Sequence, residues 1–241
     1  LTGACPLIIT CVSRDADVRD VIEQIAMAAT PETLVVDTST VADSTARQAA
    51  AMLAECGAGF LDAPVTGGVE GARKGSLSMM VGGPPELLER ARPALAAVAA
   101  RIVHMGPTGA GQATKAVNQI ICAGINQAVS EGFAFGRGLG LDLDKVLEVI
   151  AGGAAGNWFM DHRGPTMIRG TFAPGFKLNL HHKDLSICRA MGQDHDDMPP
   201  LPIVEMTMEH YDRLMRAGYG DEDISALFRL RSGSLDDGAG T

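Results

Sequence analysis

At 241 residues the chain can hold one large domain or two ordinary ones, and 46% hydrophobic residues suffice to fill their cores. Aromatics make up only 4% while Ala, Gly, Val, Leu and Met abound, which favours close helix packing over an all-β sandwich. A formal net charge of −9 with no cluster of Lys and Arg excludes a nucleic-acid-binding stripe and leaves a small molecule as the expected partner.

The run Leu7-Ile8-Ile9-Thr10-Cys11-Val12 reads as a strand, followed by a helix over 17–29 with Val18, Val21, Ile22 and Ile25 on one face. The alternation repeats with a strand at 34–36, a helix over 41–55, strands at 59–61 and 77–81, a helix over 85–98 and a strand at 102–104. After Gly106 the texture changes: 113–138 is one long helical pattern, and helices are expected over 143–150, 159–168, 180–191, 203–216 and 224–230, with a frayed tail beyond Ser232. The fold class is therefore α/β: residues 1–106 form the C-terminal half of a Rossmann-like doubly wound domain, and residues 107–241 an all-α domain. The chain enters almost directly into a buried-type strand, without Met or lead-in, and reads as a fragment lacking its front end. Cys5, Cys11, Cys56, Cys122 and Cys188 are odd in number and set in apolar stretches, so they read as reduced core thiols. With no apolar run of membrane-spanning length and no signal-peptide pattern, a cytoplasmic location and no membrane contact are expected.

Four segments carry candidate chemistry. In Asp62-Ala63-Pro64-Val65-Thr66-Gly67-Gly68, Pro64 fixes a turn at a strand end, and the paired glycines let backbone amides approach an anion beside the Thr66 hydroxyl. Spacing alone leaves a purely structural loop equally open. In Gly106-Pro107-Thr108-Gly109-Ala110-Gly111-Gln112-Ala113-Thr114-Lys115, a lysine stands in the first turns of a helix, where the macrodipole opposes it. Burial and the helix terminus would lower its pKa enough for proton exchange near neutral pH, and Asn118 and Gln119 follow on the same face; a solvated surface lysine is the competing reading. Asp37-Thr38-Ser39-Thr40 is by itself an ordinary helix cap, but Thr40 and the Val12-Ser13 turn both end strands, where a nucleotide would lie. The fourth segment joins Phe172-Ala173-Pro174-Gly175-Phe176 to His181-His182-Lys183-Asp184-Leu185. Adjacent histidines point to different faces of a helix, so His181, His182 and the nearby His195 do not make a zinc site; Lys183 is the residue expected to reach a cleft, with Asp184 pairing locally. Trp158 reads as a core or interface anchor.

Taken together these motifs resemble the β-hydroxyacid dehydrogenase family, over essentially the whole chain. The resemblance implies an NAD- or NADP-dependent oxidoreductase acting on a small 3-hydroxy acid or its semialdehyde. It implies a carboxylate held by Thr66, Gly67 and Gly68, a catalytic Lys115, substrate contacts from Asn118 or Gln119, and cofactor contacts from Val12, Ser13, Thr40, Phe176 and Lys183. The segment Gly218-Tyr219-Gly220-Asp221-Glu222-Asp223-Ile224-Ser225-Ala226-Leu227 matches the family's C-terminal signature. Two departures stand out: no Gly-x-Gly-x-x-Gly turn precedes Leu7, and Gln119 stands where many relatives carry Asn. The residue that would separate NAD from NADP is expected upstream of Leu1. The resemblance also implies a homodimer or homotetramer through the helical domain and no bound metal. Four other readings are weighed. A catalytically silent binding protein on the same fold would not need Lys115. Imine reductases do not rely on a lysine there. The 6-phosphogluconate dehydrogenases carry a Lys-x-x-His-Asn run that is absent here, and a metal-dependent hydrolase would need the histidines together.

Overall fold

The computed structural model describes residues 5–193 and 197–233; His195 and the tail from residue 234 lie outside the described residues. The chain forms two compact units, Leu1–Asn118 and Gln119–Thr241.

The first unit runs β1 (Leu7–Thr10), α1 (Asp15–Ala26), β2 (Leu34–Asp37), α2 (Asp43–Glu55), β3 (Gly59–Asp62), β4 (Val65–Thr66), α3 (Gly68–Lys74), β5 (Leu77–Gly82), α4 (Pro85–Leu95) and β6 (Ala99–Gly106), then the opening turns of α5 (Ala110–Gly138). The sheet order is β1-β2-β3-β5-β4, with β6 beside β5. Strands β1, β2 and β3 are parallel, so their C-terminal ends gather at one edge, where ligands bind in such sheets.

Successive side chains of a strand leave opposite faces, and β2 shows the result. Val35 joins Val18, Ile22, Leu53 and Phe60 under α1 and α2, whereas Leu34 and Val36 join Leu61, Val81, Leu88 and Leu95 under α4. Both faces are thus covered by helices, as the doubly wound expectation requires. β2 is buried along its whole length, which is why it reads as an unbroken apolar run.

Three features depart from the sequence-based expectation. Residues 65–74, read as a loop, contain β4 and α3; a two-residue strand carries no periodicity, and Gly68 and Gly71 mask the helical pattern. β5 runs antiparallel to β3, and β6 follows β5, so the sheet is mixed. β6 spans eight residues rather than three, because it is largely exposed and its polar residues break the apolar run.

The second unit is helical: the remainder of α5, then α6 (Leu143–Ala151), α7 (Trp158–Ile168), α8 (Leu178–Gln193), α9 (Pro202–Arg216), a 3-10 turn (Ile224–Leu227) and α10 (Phe228–Ser232). Their starts follow local chemistry. The Asp142 carboxylate accepts from the Asp144 and Lys145 amides, Asn157 Oδ1 accepts from the Met160 amide, and Pro202 occupies the first turn of α9. The core joins Phe133, Met160, Met167, Leu178, Leu185, Tyr211, Leu214 and Phe228.

The expected helix over 224–230 is divided into the 3-10 turn and α10, because Asp223 caps a tight turn through the Ser225 amide. Trp158, expected as a core or interface anchor, is half-exposed and stacks on His162 at 4.1 Å, while its neighbours Phe159 and Met160 take the core-facing side of the first turn of α7. All five cysteines are free, but Cys11 is exposed rather than in a core, since it follows the last residue of β1, where the chain leaves the sheet. Among the described residues, no helix is long and apolar enough to cross a membrane.

Candidate active site

Lys115 is 8% exposed, and its Nζ donates to the Val65 carbonyl oxygen at 2.9 Å. That carbonyl belongs to the peptide leading into Thr66, so the lysine head group and the Thr66-Gly67-Gly68 loop are brought together. The solvated-lysine reading does not describe this side chain. The loop turns at Gly67 and Gly68, with φ of +127° and +61°, in left-handed backbone that side-chain-bearing residues rarely adopt. Backbone of this kind at consecutive glycines can present peptide N–H groups to an anion such as a carboxylate.

Why Lys115 stands at that height on its helix is a matter of how α5 meets the sheet. Asp62, the last residue of β3, is fully buried; its Oδ1 accepts from the Gly109 amide at 2.8 Å and its Oδ2 from the Gln112 amide at 2.9 Å. These are donors that the start of a helix otherwise leaves unmet, and a carboxylate there also suits the macrodipole. Burial pushes the Asp62 carboxyl above its ordinary value, and the Gly109 and Gln112 amides pull against that shift. Gly111 allows the close approach: a Cβ on it would run into the Met80 and Asp62 carbonyl oxygens.

The two turns at the ends of β1 and β2 are joined. Val12 donates its amide to Ser39 Oγ at 2.8 Å, and Thr38 donates both its amide and its hydroxyl to the Thr10 carbonyl at 2.8 Å. Beneath them Asp37 Oδ1 accepts from Thr10 Oγ1 and from Ser39 Oγ and N, at 2.8, 2.6 and 3.3 Å. Ser13 is exposed and Thr40 half-buried beside this lattice. Hydroxyls and peptide groups at adjacent parallel strand ends are a donor set that fits a nicotinamide nucleotide.

In the second unit, one buried carboxylate serves two candidate residues. Asp184 Oδ2 accepts from Gln119 Nε2 at 2.5 Å, and its Oδ1 pairs with Lys183 Nζ at 2.9 Å. Phe176 is held by its backbone: its amide and that of Gly175 donate to Asp223 Oδ2 at 3.0 and 2.9 Å, and Arg163 Nε pairs with the same oxygen at 3.2 Å. Asn118 belongs to the first unit and is partly exposed.

His181 and His182 turn to different partners. His181 lies fully buried between Tyr211 Oη and the Gln119 carbonyl, at 3.0 and 3.2 Å, while His182 faces Asp212 at 3.1 Å. Among the described residues no three His, Cys, Asp or Glu side chains are grouped to hold a metal ion.

The supporting residues Asp37, Asp62, Gln112, Asp184 and Asp223 were not assigned site roles from sequence. The available signal was a polar residue closing an apolar strand, as Asp37 and Asp62 do, or standing where a helix should bury an apolar one.

The chain is similar to known proteins along most of its length. Residues 1–106 match the model described as the NAD binding domain of 6-phosphogluconate dehydrogenase, and residues 109–231 match that described as NAD-binding of NADP-dependent 3-hydroxyisobutyrate dehydrogenase. An uncharacterized oxidoreductase of Synechocystis is 36% identical over 92% of this chain and 77% of its own length. An NAD-dependent L-serine dehydrogenase of Pseudomonas aeruginosa is 34% identical over 83% of this chain and 69% of its own. The solved structure of Mycobacterium tuberculosis 3-hydroxyisobutyrate dehydrogenase with L-serine superposes with a TM-score of 0.84 at 33% identity, covering 95% of this chain and 80% of that one.

Proposed function

Since the chain belongs to the β-hydroxyacid dehydrogenase family of NAD(P)-dependent oxidoreductases, we propose that it interconverts a small 3-hydroxy acid and its semialdehyde, with Lys115 as the proton-transfer residue. The observation that carries this reading is the buried Lys115 Nζ bonded to the Val65 carbonyl beside Thr66, Gly67 and Gly68. The relatives named for L-serine and 3-hydroxyisobutyrate are named for acids with a carboxylate and a hydroxyl on the β-carbon. Both groups have counterparts here.

The carboxylate docks on the Thr66 hydroxyl and the peptide groups of Gly67 and Gly68. That anchoring directs the β-carbon hydroxyl to Lys115, and positioning of this kind lowers the barrier before any proton moves. In the oxidative direction neutral Lys115 takes the hydroxyl proton on Nζ; in reduction its ammonium returns a proton to the developing alkoxide. Asn118, the more exposed of the two amides, orients the reacting oxygen, with Gln119 held against Asp184 behind it. Val12, Ser13, Thr40, Phe176 and Lys183 hold NAD or NADP, which when bound supplies the hydride acceptor or donor. Burial of Lys115 keeps bulk water from competing for its proton.

Exposed Phe135, Leu139, Leu141 and Val149 support self-association as a dimer or tetramer, which sedimentation tests, and the five free thiols suit a cytoplasmic location.

The deciding experiment measures turnover of the full-length protein with small 3-hydroxy acids and their semialdehydes, with NAD and NADP, beside Lys115→Ala. Activity that falls by about two to four orders of magnitude while cofactor binding persists supports the assignment. A variant as active as the parent removes Lys115 from the chemistry. No turnover by the parent favours a ligand-binding protein on the same fold.

A further inference from the structure

Gln112 grips the backbone on both sides of Thr40. Its Nε2 donates to the Ser39 carbonyl at 2.8 Å, and its Oε1 accepts from the Val41 amide at 3.2 Å, so the two peptide groups flanking Thr40 are read by one side-chain amide. The side chain is 1% exposed, and the Gln112 backbone amide is itself anchored on Asp62 Oδ2. Ser39 is also fixed from beneath, through its amide and hydroxyl on Asp37, and its Oγ accepts the Val12 amide. Three residues beyond Gln112 on the same helix is Lys115.

We propose that Gln112 is a positioning residue that sets the cofactor-facing turns, Thr40 directly and Val12 through Ser39, at a fixed distance from Lys115. This rests on the reading in which Thr40 and Val12 contact the nicotinamide nucleotide and Lys115 moves the proton. Hydride and proton leave adjacent atoms of one substrate, so the holders of their two acceptors have to be in register. A displacement of about 1 Å in such an arrangement costs roughly a hundredfold in rate. The clamp ties both holders to one helix turn.

The chemistry of the clamp is specific to glutamine. It needs a donor and an acceptor at one planar end, at a reach of two methylenes. Glutamate keeps the acceptor for Val41 but sets an oxygen against the Ser39 carbonyl, asparagine is one methylene short, and methionine fills the space with neither group.

The test compares Gln112→Met, Gln112→Glu and the parent as full-length proteins. It reads amide hydrogen exchange at Val41, the NAD(P)H dissociation constant by fluorescence, and the primary deuterium isotope effect on turnover. The expected result for Gln112→Met is faster exchange at Val41, cofactor binding weaker by about tenfold and turnover lower by about a hundredfold, with an altered isotope effect. Gln112→Glu, which keeps the acceptor for Val41 but sets an oxygen against the Ser39 carbonyl, should leave Val41 exchange nearer the parent while cofactor affinity and turnover still fall, and serves if Gln112→Met does not fold. Lowered thermal stability with Val41 exchange, cofactor affinity and isotope effect all at parental values would overturn the proposal, since a merely structural glutamine would behave that way. Failure of the functional reading is separate: the parent would then bind cofactor without oxidising any 3-hydroxy acid, while the exchange and affinity measurements still judge the clamp.

Discussion

The Lys115 ammonium group and the Val65 carbonyl oxygen are 2.9 Å apart, which fastens the one buried lysine among the described residues to the strand that leads into Gly67 and Gly68. The bond to the backbone carbonyl helps to fix the position of Nζ. Lys115→Arg should therefore retain the charge and a bond to Val65 but lose proton exchange, since a guanidinium does not give up its proton in proteins. Turnover is expected to fall by about 10²- to 10⁴-fold with little change in NAD(P)H affinity, as steady-state kinetics and fluorescence titration will show.

Asp37 supplies a pH test. Its Oδ1 takes the bonds from Thr10 and Ser39, whereas Oδ2 is buried without a hydrogen-bond partner. Burial, the largest effect, pushes its carboxyl above the ordinary 3.8. A carboxyl raised in the folded state binds its proton more tightly when folded. The stability this contributes is full below about 3.8 and is lost as pH climbs through the raised folded value. Asp37→Asn cannot titrate, so the stability of the parent relative to this variant should decline from acid to neutral pH. Urea unfolding of both at stepped pH checks it, and a constant difference would contradict it.

Both of these residues show what was legible in the sequence. The order of elements, the helices on both faces of the sheet and the position of Lys115 after a glycine-rich entry all follow from periodicity and local chemistry. Asp62 and Gln112 look like ordinary polar residues and Asp223 like a local cap, because the partners that tie them into the site are 47 to 73 residues away in the chain, and no local pattern encodes such a pairing. The reversal at β5 was hidden for a related reason: strand direction depends on how 63–76 folds back, and its two glycine-masked elements carry no period.

Asp223 gathers the Ser225 amide and hydroxyl on one oxygen and Gly175, Phe176 and Arg163 on the other. Removing it takes away at once the acceptor shared by the Gly175, Phe176 and Ser225 amides, the Ser225 hydroxyl and the Arg163 guanidinium. Asp223→Ala should lower the unfolding free energy by about 3–5 kcal/mol, read by denaturant titration. Asp223→Asn should cost less, since it keeps an acceptor.

Gly111→Ala tests how closely α5 lies on the sheet. The added methyl meets the Met80 and Asp62 oxygens, neither of which is a flexible side-chain end that can swing away, apart from the Asp62 carboxylate. A loss of about 1–3 kcal/mol in stability is expected. Turnover should also drop in the folded fraction, since relieving the clash lifts the turn that precedes Lys115; parental turnover would count against this account.

Ile224, Ala226, Leu227 and Phe228 are buried in the core of the helical unit, and Asp223 bridges back to Lys177, although residues 223–228 are among the last of the described chain. During synthesis the sheet-bearing unit can close as soon as its own residues are out of the ribosome. The helical unit must wait with its apolar helix faces uncovered until its final turn emerges, roughly ten seconds or so of elongation at about 5–20 residues per second. A messenger truncated shortly before this turn would yield a first unit able to fold and a second one without its keystone, a product suited to chaperone capture and degradation.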